Sequence, residues 1–272
     1  GAEHPRRIVI ERRGGEDEYR HSSGPRLTPR RAGFHCLQHL LRSGQHRARY
    51  AGQARDMDAS LGERLQAFAD AVRRLGPHFQ EAVDKLVTRL KDQGVGETAP
   101  KPGEPMPLFV LPDETGHLVS LDALLDKGPV AITFHRGYWC PYCRINTRAL
   151  AEAQDEIAAQ GGQIAAIMPD QQHFTAELKA EHDAPFPILT YIDNGYAMSL
   201  NLAFWVGEEM QKLMTGAGWD VSRSQGSNTW LLPIPATFVV GTDGEVKSRF
   251  LDPDYRKRVA VEDLIAALKC AS

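Results

Sequence analysis

Cys140 and Cys143 stand three residues apart in the run Thr133-Phe134-His135-Arg136-Gly137-Tyr138-Trp139-Cys140-Pro141-Tyr142-Cys143. At the start of a helix, that spacing puts two thiols one turn apart on the same face. One can attack as a thiolate, and the other can then close a disulfide onto its oxidised form. Free backbone N–H groups and the positive end of the helix dipole favour the thiolate at such a position. Pro141 suits the first helical turn, where its missing N–H costs nothing. Arg136, and His135 when protonated, can add positive charge. The pattern is a redox dithiol signature. A zinc site would need two further ligands at matched spacing, and the other cysteines, Cys36 and Cys270, are distant. The remaining alternative is a pair of inert core cysteines. Cys270 can resolve an oxidised thiol or cross-link chains, although a lone cysteine near a terminus is more simply incidental. Tyr138, Trp139 and Tyr142 either shape a substrate surface or pack against the strand.

The elements around the dithiol read as a strand-to-helix junction. Pro129 to Phe134 is a short, nearly continuous apolar run, the mark of a strand buried on both faces. A helix is expected from Pro141 to Gln160, then a buried strand over 163–168 and a helix to His182 that Asp170 can cap. A third strand follows over 187–192. Leu108–Leu111 and His117–Val119 flank the turn Asp113-Glu114-Thr115-Gly116, and Ala236–Val240 and Val246–Leu251 flank Gly241-Thr242-Asp243-Gly244. The stretch 193–230 is less regular, with a helix over 208–214. A last helix spans 261–269. This order predicts an α/β domain with a parallel core and an antiparallel edge.

Upstream, Ser60 and Glu63 form a capping-box pattern. Leu61, Leu65, Phe68, Val72 and Leu75 then mark one helix face. Gly76-Pro77 ends that helix, and Phe79, Val83, Leu86, Val87 and Leu90 begin another. Two short amphipathic helices must dock on the main domain or on a second copy, which makes a homodimer through them a candidate assembly. The expected organisation is an extension over 1–56, a helical segment over 57–93, a linker over 94–107 and a redox domain over 108–272. The first fifty residues carry 11 arginines, no lysine and 5 acids, with almost no apolar period. They read as a poorly ordered extension, with Met57 as the expected natural start. A basic nucleic-acid arm, or a zinc site from His35, Cys36, His39 and His46, is the functional alternative.

Composition bounds the rest. A net charge of -3 gives no overall reason to expect nucleic acid as a partner. No apolar run approaches the ~18 residues of a membrane span. Four cysteines in 272 residues are too few for a disulfide scaffold, which points to a reducing cytoplasm. No flavin, haem or nucleotide fingerprint appears, so no cofactor is expected, and dithiol chemistry needs none.

The segment Phe134 to Cys143 resembles the active-site loop of peroxiredoxin-like proteins in the alkyl hydroperoxide reductase/thiol-specific antioxidant family. Ile234-Pro235-Ala236-Thr237-Phe238-Val239-Val240 and Asp252-Pro253-Asp254-Tyr255 resemble its later signatures. The likeness runs from about Ser60 to Leu268. It implies a thioredoxin-like fold, a central mixed sheet flanked by helices, here with an N-terminal helical extension. It also implies that Cys140 is the attacking cysteine and that Ile234-Pro235 is a cis-proline loop facing it, although frequency alone favours a trans bond. Trp139, Ile234 and Pro235 are the expected substrate contacts. The chain departs from the family pattern at Gly137, where a threonine orients peroxide, and near Pro235, where an arginine polarises the O–O bond; Arg136 is the candidate replacement. The leading function is reduction of hydrogen peroxide or an alkyl hydroperoxide through a Cys140 sulfenic acid that Cys143 resolves. Thioredoxin or glutathione would be the thiol reductant. Thiol–disulfide exchange and a non-catalytic binding module of the same fold are the alternatives.

Overall fold

The computed structural model describes residues 59–73 and 77–271. The expected extension over 1–56, its candidate zinc ligands, Met57 and the helix-ending Leu75 and Gly76 lie outside them.

The N-terminal helices are α1 (Leu61–Arg73) and α2 (Pro77–Asp92). The capping box closes as the sequence predicts. Ser60 N donates to Glu63 Oε2 at 2.7 Å, and Glu63 N donates to Ser60 Oγ at 3.3 Å. Leu61 and Leu65 of α1 and Ala82, Val83, Leu86, Val87 and Leu90 of α2 are buried in one core with the sheet. The apolar stripes are therefore covered by the chain's own domain, without a second copy. Residues 94–107 follow the same surface. Gly96 N donates to Asn201 O, Gly103 N to Val246 O and Met106 N to Gly244 O, while Ala99 and Met106 are buried.

A two-stranded ribbon comes next, β1 (Val110–Pro112) antiparallel to β2 (Leu118–Ser120), followed by the short α3 (Leu121–Leu125) capped by Ser120. The main sheet then opens with β3 (Val130–Phe134). After it come α4 (Pro141–Glu152), α5 (Gln154–Ala159), β4 (Gln163–Met168), α6 (Gln172–Glu181) and β5 (Ile188–Thr190). The helix expected as one over 141–160 is two, joined at Ala153. The irregular stretch holds α7 (Gly195–Ser199), β6 (Ala203–Trp205), α8 (Glu208–Gly216), α9 (Val221–Gln225) and β7 (Leu231–Pro233), with β6 and β7 antiparallel. The chain ends in β8 (Ala236–Val240), β9 (Val246–Leu251) and α10 (Val261–Ala271).

The five-stranded sheet has the order β5-β4-β3-β8-β9. β3, β4 and β5 run parallel, and β8 and β9 add an antiparallel edge. Strand periodicity divides its side chains between two layers. Val130, Ile132, Phe134, Ala236 and Phe238 face the layer that contains α1, α2 and α3. Ala131, Ile164, Ala166, Met168 and Val239 face Leu150, Ile157, Leu178, Leu264 and Leu268 from α4, α5, α6 and α10. Both faces of β3 are covered, which is why its sequence lacks polar alternation. No helix among the described residues is long and apolar enough to cross a membrane.

Leu90 is 1% exposed in the layer that joins α2 to the sheet. Leu90→Ala is expected to cost about 2–5 kcal/mol of stability by loss of transfer energy and creation of a cavity. Urea unfolding of both proteins checks this through the midpoint at unchanged m-value.

Candidate active site

β3 ends at Phe134, and the six residues that follow turn the chain into α4. Cys140 occupies the position before its first turn with extended backbone (φ -87, ψ 111), and Pro141 opens the helix. Cys143 N and Arg144 N both donate to Cys140 O, which seats the two cysteines on the first turn. Both thiols are free and buried, Cys140 at 1% exposure and Cys143 at 0%.

Their surroundings are charged rather than purely apolar. Arg136 Nη1 is 3.9 Å from Cys140 Sγ, and Arg136 N donates to Cys143 Sγ at 3.2 Å. Arg258 Nη2 donates to the same sulfur at 3.3 Å from the opposite end of the sequence. Neither guanidinium forms an ion pair with a carboxylate among the described residues. Arg136 instead lies 3.9 Å from the ring centroid of Tyr255 and 5.0 Å from that of Trp139. The negative faces of these rings hold a buried cation where water is excluded. Arg258 is fixed by Nη1 donating to the carbonyls of Tyr255 and Lys257, each at 2.7 Å.

Two aromatic chains tie the N-terminal helices to this arrangement. Phe68 of α1 meets Tyr142 edge-on at 5.1 Å, and Tyr142 meets Tyr255 at 5.6 Å. Phe79 of α2 meets Trp219 at 5.6 Å, and Trp219 lies 6.0 Å from Trp139. Both chains end on the rings that hold Arg136.

The electrostatics separate the two sulfurs. Burial acts to raise Cys140, but the Cys143 thiol, the charges of Arg136 and Arg258 and the Cys143 backbone N–H outweigh it. Cys140 is held at about 6, below the ordinary 9.0. Burial and the neighbouring Cys140 thiolate push Cys143 well above 9.0. At neutral pH the pair is one thiolate and one thiol that donates to it.

Three sequence expectations change here. His135 is fully buried, and its ring nitrogens meet Asn146 Nδ2 at 3.1 Å and Thr147 Oγ1 at 3.4 Å. Burial drops its pKa to about 4, so it is neutral and supplies no positive charge. Asp170 does not cap α6, whose first turn follows Gln171. Its Oδ2 instead accepts from Tyr138 N at 2.6 Å, inside the 135–140 loop. Burial raises Asp170 to about 7. The Ile234-Pro235 bond is trans, since the described residues contain no cis peptide. Strand β7 enters that bond extended, Ile234 N donates to Leu202 O at 2.8 Å, and the ordinary trans preference of ~0.5–1 kcal/mol is unopposed.

Trp139 sits beside Arg136 as described. Ile234 and Pro235 are buried, and the Ile234 side chain reaches toward Gly96, where an added Cβ would meet Ile234 Cδ1 at 2.9 Å. Tyr255 belongs to the Asp252–Tyr255 signature, whereas Arg258 lies beyond it. A lone arginine 115 positions after Cys143 carries no local signal of its role. Gly137 has φ +141, and a Cβ there would fall 2.6 Å from Trp139 Nε1 and 2.8 Å from Asp170 Oδ1.

The profile of the AhpC/TSA family matches residues 102–249, more than half of the chain. The chain belongs to the AhpC/TSA family. A crystal structure of the peroxidoxin BcpB from Mycobacterium tuberculosis aligns at a TM-score of 0.50 with 21% identity, covering 64% of this chain and 99% of that one. A structure of peroxiredoxin Q from Xanthomonas campestris aligns at 0.47 with 17% identity, covering 60% and 90%. At 21% identity the first of these likenesses speaks to the fold alone, which is the thioredoxin-type mixed sheet expected from the AhpC/TSA resemblance. No curated protein matches the sequence significantly.

The charge arrangement predicts a thiolate whose ultraviolet absorbance titrates near pH 6. Arg136→Gln removes one of the two nearby cations and is expected to move the titration upward by about 1 unit or more. Absorbance at the thiolate band against pH, with Cys143→Ser as a control for the second thiol, checks both statements.

Proposed function

We propose that this chain is a thiol peroxidase that reduces hydrogen peroxide or a small alkyl hydroperoxide through Cys140. One observation carries the reading: a buried thiol stands against the guanidinium of Arg136 with Cys143 and Arg258 immediately behind it, and neither arginine has a carboxylate partner among the described residues. The Cys140 thiolate attacks one peroxide oxygen, the O–O bond breaks, and the electron pair leaves on the second oxygen as water or an alcohol after protonation. Arg136 stabilises charge on the departing oxygen. Cys140 is then a sulfenic acid, and Cys143 attacks its sulfur to give the Cys140–Cys143 disulfide and water. Two equivalents of an external thiol return both cysteines to the reduced state.

Thiol–disulfide exchange is the second reading, favoured by Gly137, which offers no side-chain hydroxyl to a peroxide. The 1% exposure of Cys140 weighs against a protein disulfide, which must be reached across a surface, and for a small oxidant. AhpC/TSA membership favours a peroxidase in the same direction.

Stopped-flow oxidation of the reduced protein by hydrogen peroxide is expected to be fast, to rise with pH through about 6, and to stay level above it as the thiolate fraction saturates. Cys140→Ser should abolish it. Sluggish peroxide oxidation alongside rapid reduction of insulin disulfides would instead establish the exchange reading. In Cys143→Ser, the Cys140 sulfenic acid should persist and be trapped by dimedone. Unaltered disulfide formation in that variant would assign resolution to another thiol.

A further inference from the structure

Each sulfur of the pair has its own arginine. Arg136 Nη1 stands 3.9 Å from Cys140 Sγ, whereas Arg258 Nη2 donates to Cys143 Sγ at 3.3 Å. Arg136 N gives Cys143 Sγ a second donor at 3.2 Å. The attacking thiolate accounts for the first arginine, but a thiol that keeps its proton gains little from two donors. Arg258 is nonetheless fixed for this contact, because Nη1 donates to the carbonyls of Tyr255 and Lys257. The guanidinium is half-buried and borders a cavity of about 640 Å³ between α1, α2 and the segment that follows β9. The sulfur it touches is fully buried. The other titratable groups that act on Cys143 are Cys140, the neutral His135 and Asp170. In the reduced protein Cys140 carries the negative charge set against both arginines. Burial and that charge together keep the proton on Cys143.

We propose that Arg258 is a catalytic residue of the resolving step, ionising Cys143 once oxidation has removed the charge from Cys140. The proposal rests on the peroxidase reading for the sulfenic acid that Cys143 resolves. Oxidation turns the Cys140 thiolate into a neutral sulfenic acid, while both guanidinium charges stay in place. Two cations then lack their counter-charge, at a cost that is largest for the buried Arg136. Cys143 Sγ already accepts from Arg258 Nη2 and Arg136 N, and it stands in the first turn of α4, at the positive end of the helix dipole. It is therefore placed to take over the negative charge. Cys143 gives up its proton, and its thiolate, the nucleophilic form, makes a bond to Cys140 Sγ. The S–O bond breaks, and its electron pair leaves on oxygen as hydroxide. The proton released by Cys143 converts that hydroxide to water. Cys143 is oxidised and the sulfenic sulfur reduced, both to the level of the shared disulfide.

An opposite charge within about 4–6 Å moves a pKa by roughly 1–3 units. A thiol of higher pKa is also the stronger nucleophile once ionised, with a Brønsted slope of about 0.4–0.5. Arg258→Gln should therefore slow resolution roughly 3–60-fold near pH 7, and the gap should close or reverse toward about pH 10. Stopped-flow tryptophan fluorescence reads the step, since Trp139 adjoins Cys140. A phase that depends on hydrogen peroxide concentration reports oxidation, and a later, concentration-independent phase reports resolution. Arg258→Lys keeps the charge without the fork and should fall between the two proteins. A second measurement needs no peroxide. The thiolate absorbance of Cys140→Ser against pH, less that of the Cys140→Ser/Cys143→Ser double variant, isolates Cys143. Adding Arg258→Gln to Cys140→Ser should raise its midpoint by about 1 unit or more. Slowing by the same factor at every pH, a resolving phase that falls as pH rises because the sulfenic acid itself ionises, or an unmoved Cys143 midpoint would overturn the proposal. A protein that ignores hydrogen peroxide yet shows the Arg258-dependent midpoint would sink the peroxidase reading and leave Arg258 as the group that ionises Cys143.

Discussion

Two guanidinium groups, that of Arg136 buried and that of Arg258 half-buried, sit against two sulfur atoms without a carboxylate between them among the described residues. An uncompensated buried cation is expensive, and a protein ordinarily meets that cost with a paired acid. Here the counter-charge is a thiolate, supported by the faces of Tyr255 and Trp139. The arrangement explains why a sulfur at 1% exposure is ionised at all, since burial alone acts in the opposite direction. It also explains the division of labour. Once Cys140 holds the negative charge, Cys143 is pressed to keep its proton, so the attacking and resolving roles proposed for them match the electrostatics.

The helices before the family domain belong to this arrangement rather than standing apart from it. Phe68 and Phe79 reach the rings around Arg136 through Tyr142–Tyr255 and Trp219. The family match begins at residue 102, so α1 and α2 lie outside it. They nonetheless form a wall beside the chemistry and one side of the cavity that reaches Arg258. An appendage that packs this way helps to enclose the rings around Arg136.

Much of this was legible in the sequence because it is local. The apolar run of β3, the capping box at Ser60 and the Cys140–Cys143 spacing are each read within a few residues, and each is present as expected. What stayed hidden depends on burial or on distant pairing. His135 looks like a cation until its 0% exposure is known, and then it is a neutral ring held by Asn146 and Thr147. Asp170 has the residue type and position of a helix cap, yet its carboxylate turns to the Tyr138 amide of a loop 32 residues earlier. Arg258 has no local pattern to distinguish it from its neighbours Arg256 and Lys257. Only the return of β9 along the sheet edge brings it to Cys143. The cis-proline expectation came from resemblance, and the extended trans path through β7 replaced it.

Gly137 constrains how this loop can change. Its backbone lies in a region that L side chains rarely adopt, and the space a side chain would need is already held by the Trp139 indole and the Asp170 carboxyl. A hydroxyl-bearing residue cannot be slipped in there by a single codon change without displacing two neighbours at once. The loop is thus locked around its glycine: a threonine at this position would first have to evict the Trp139 indole and the Asp170 carboxyl.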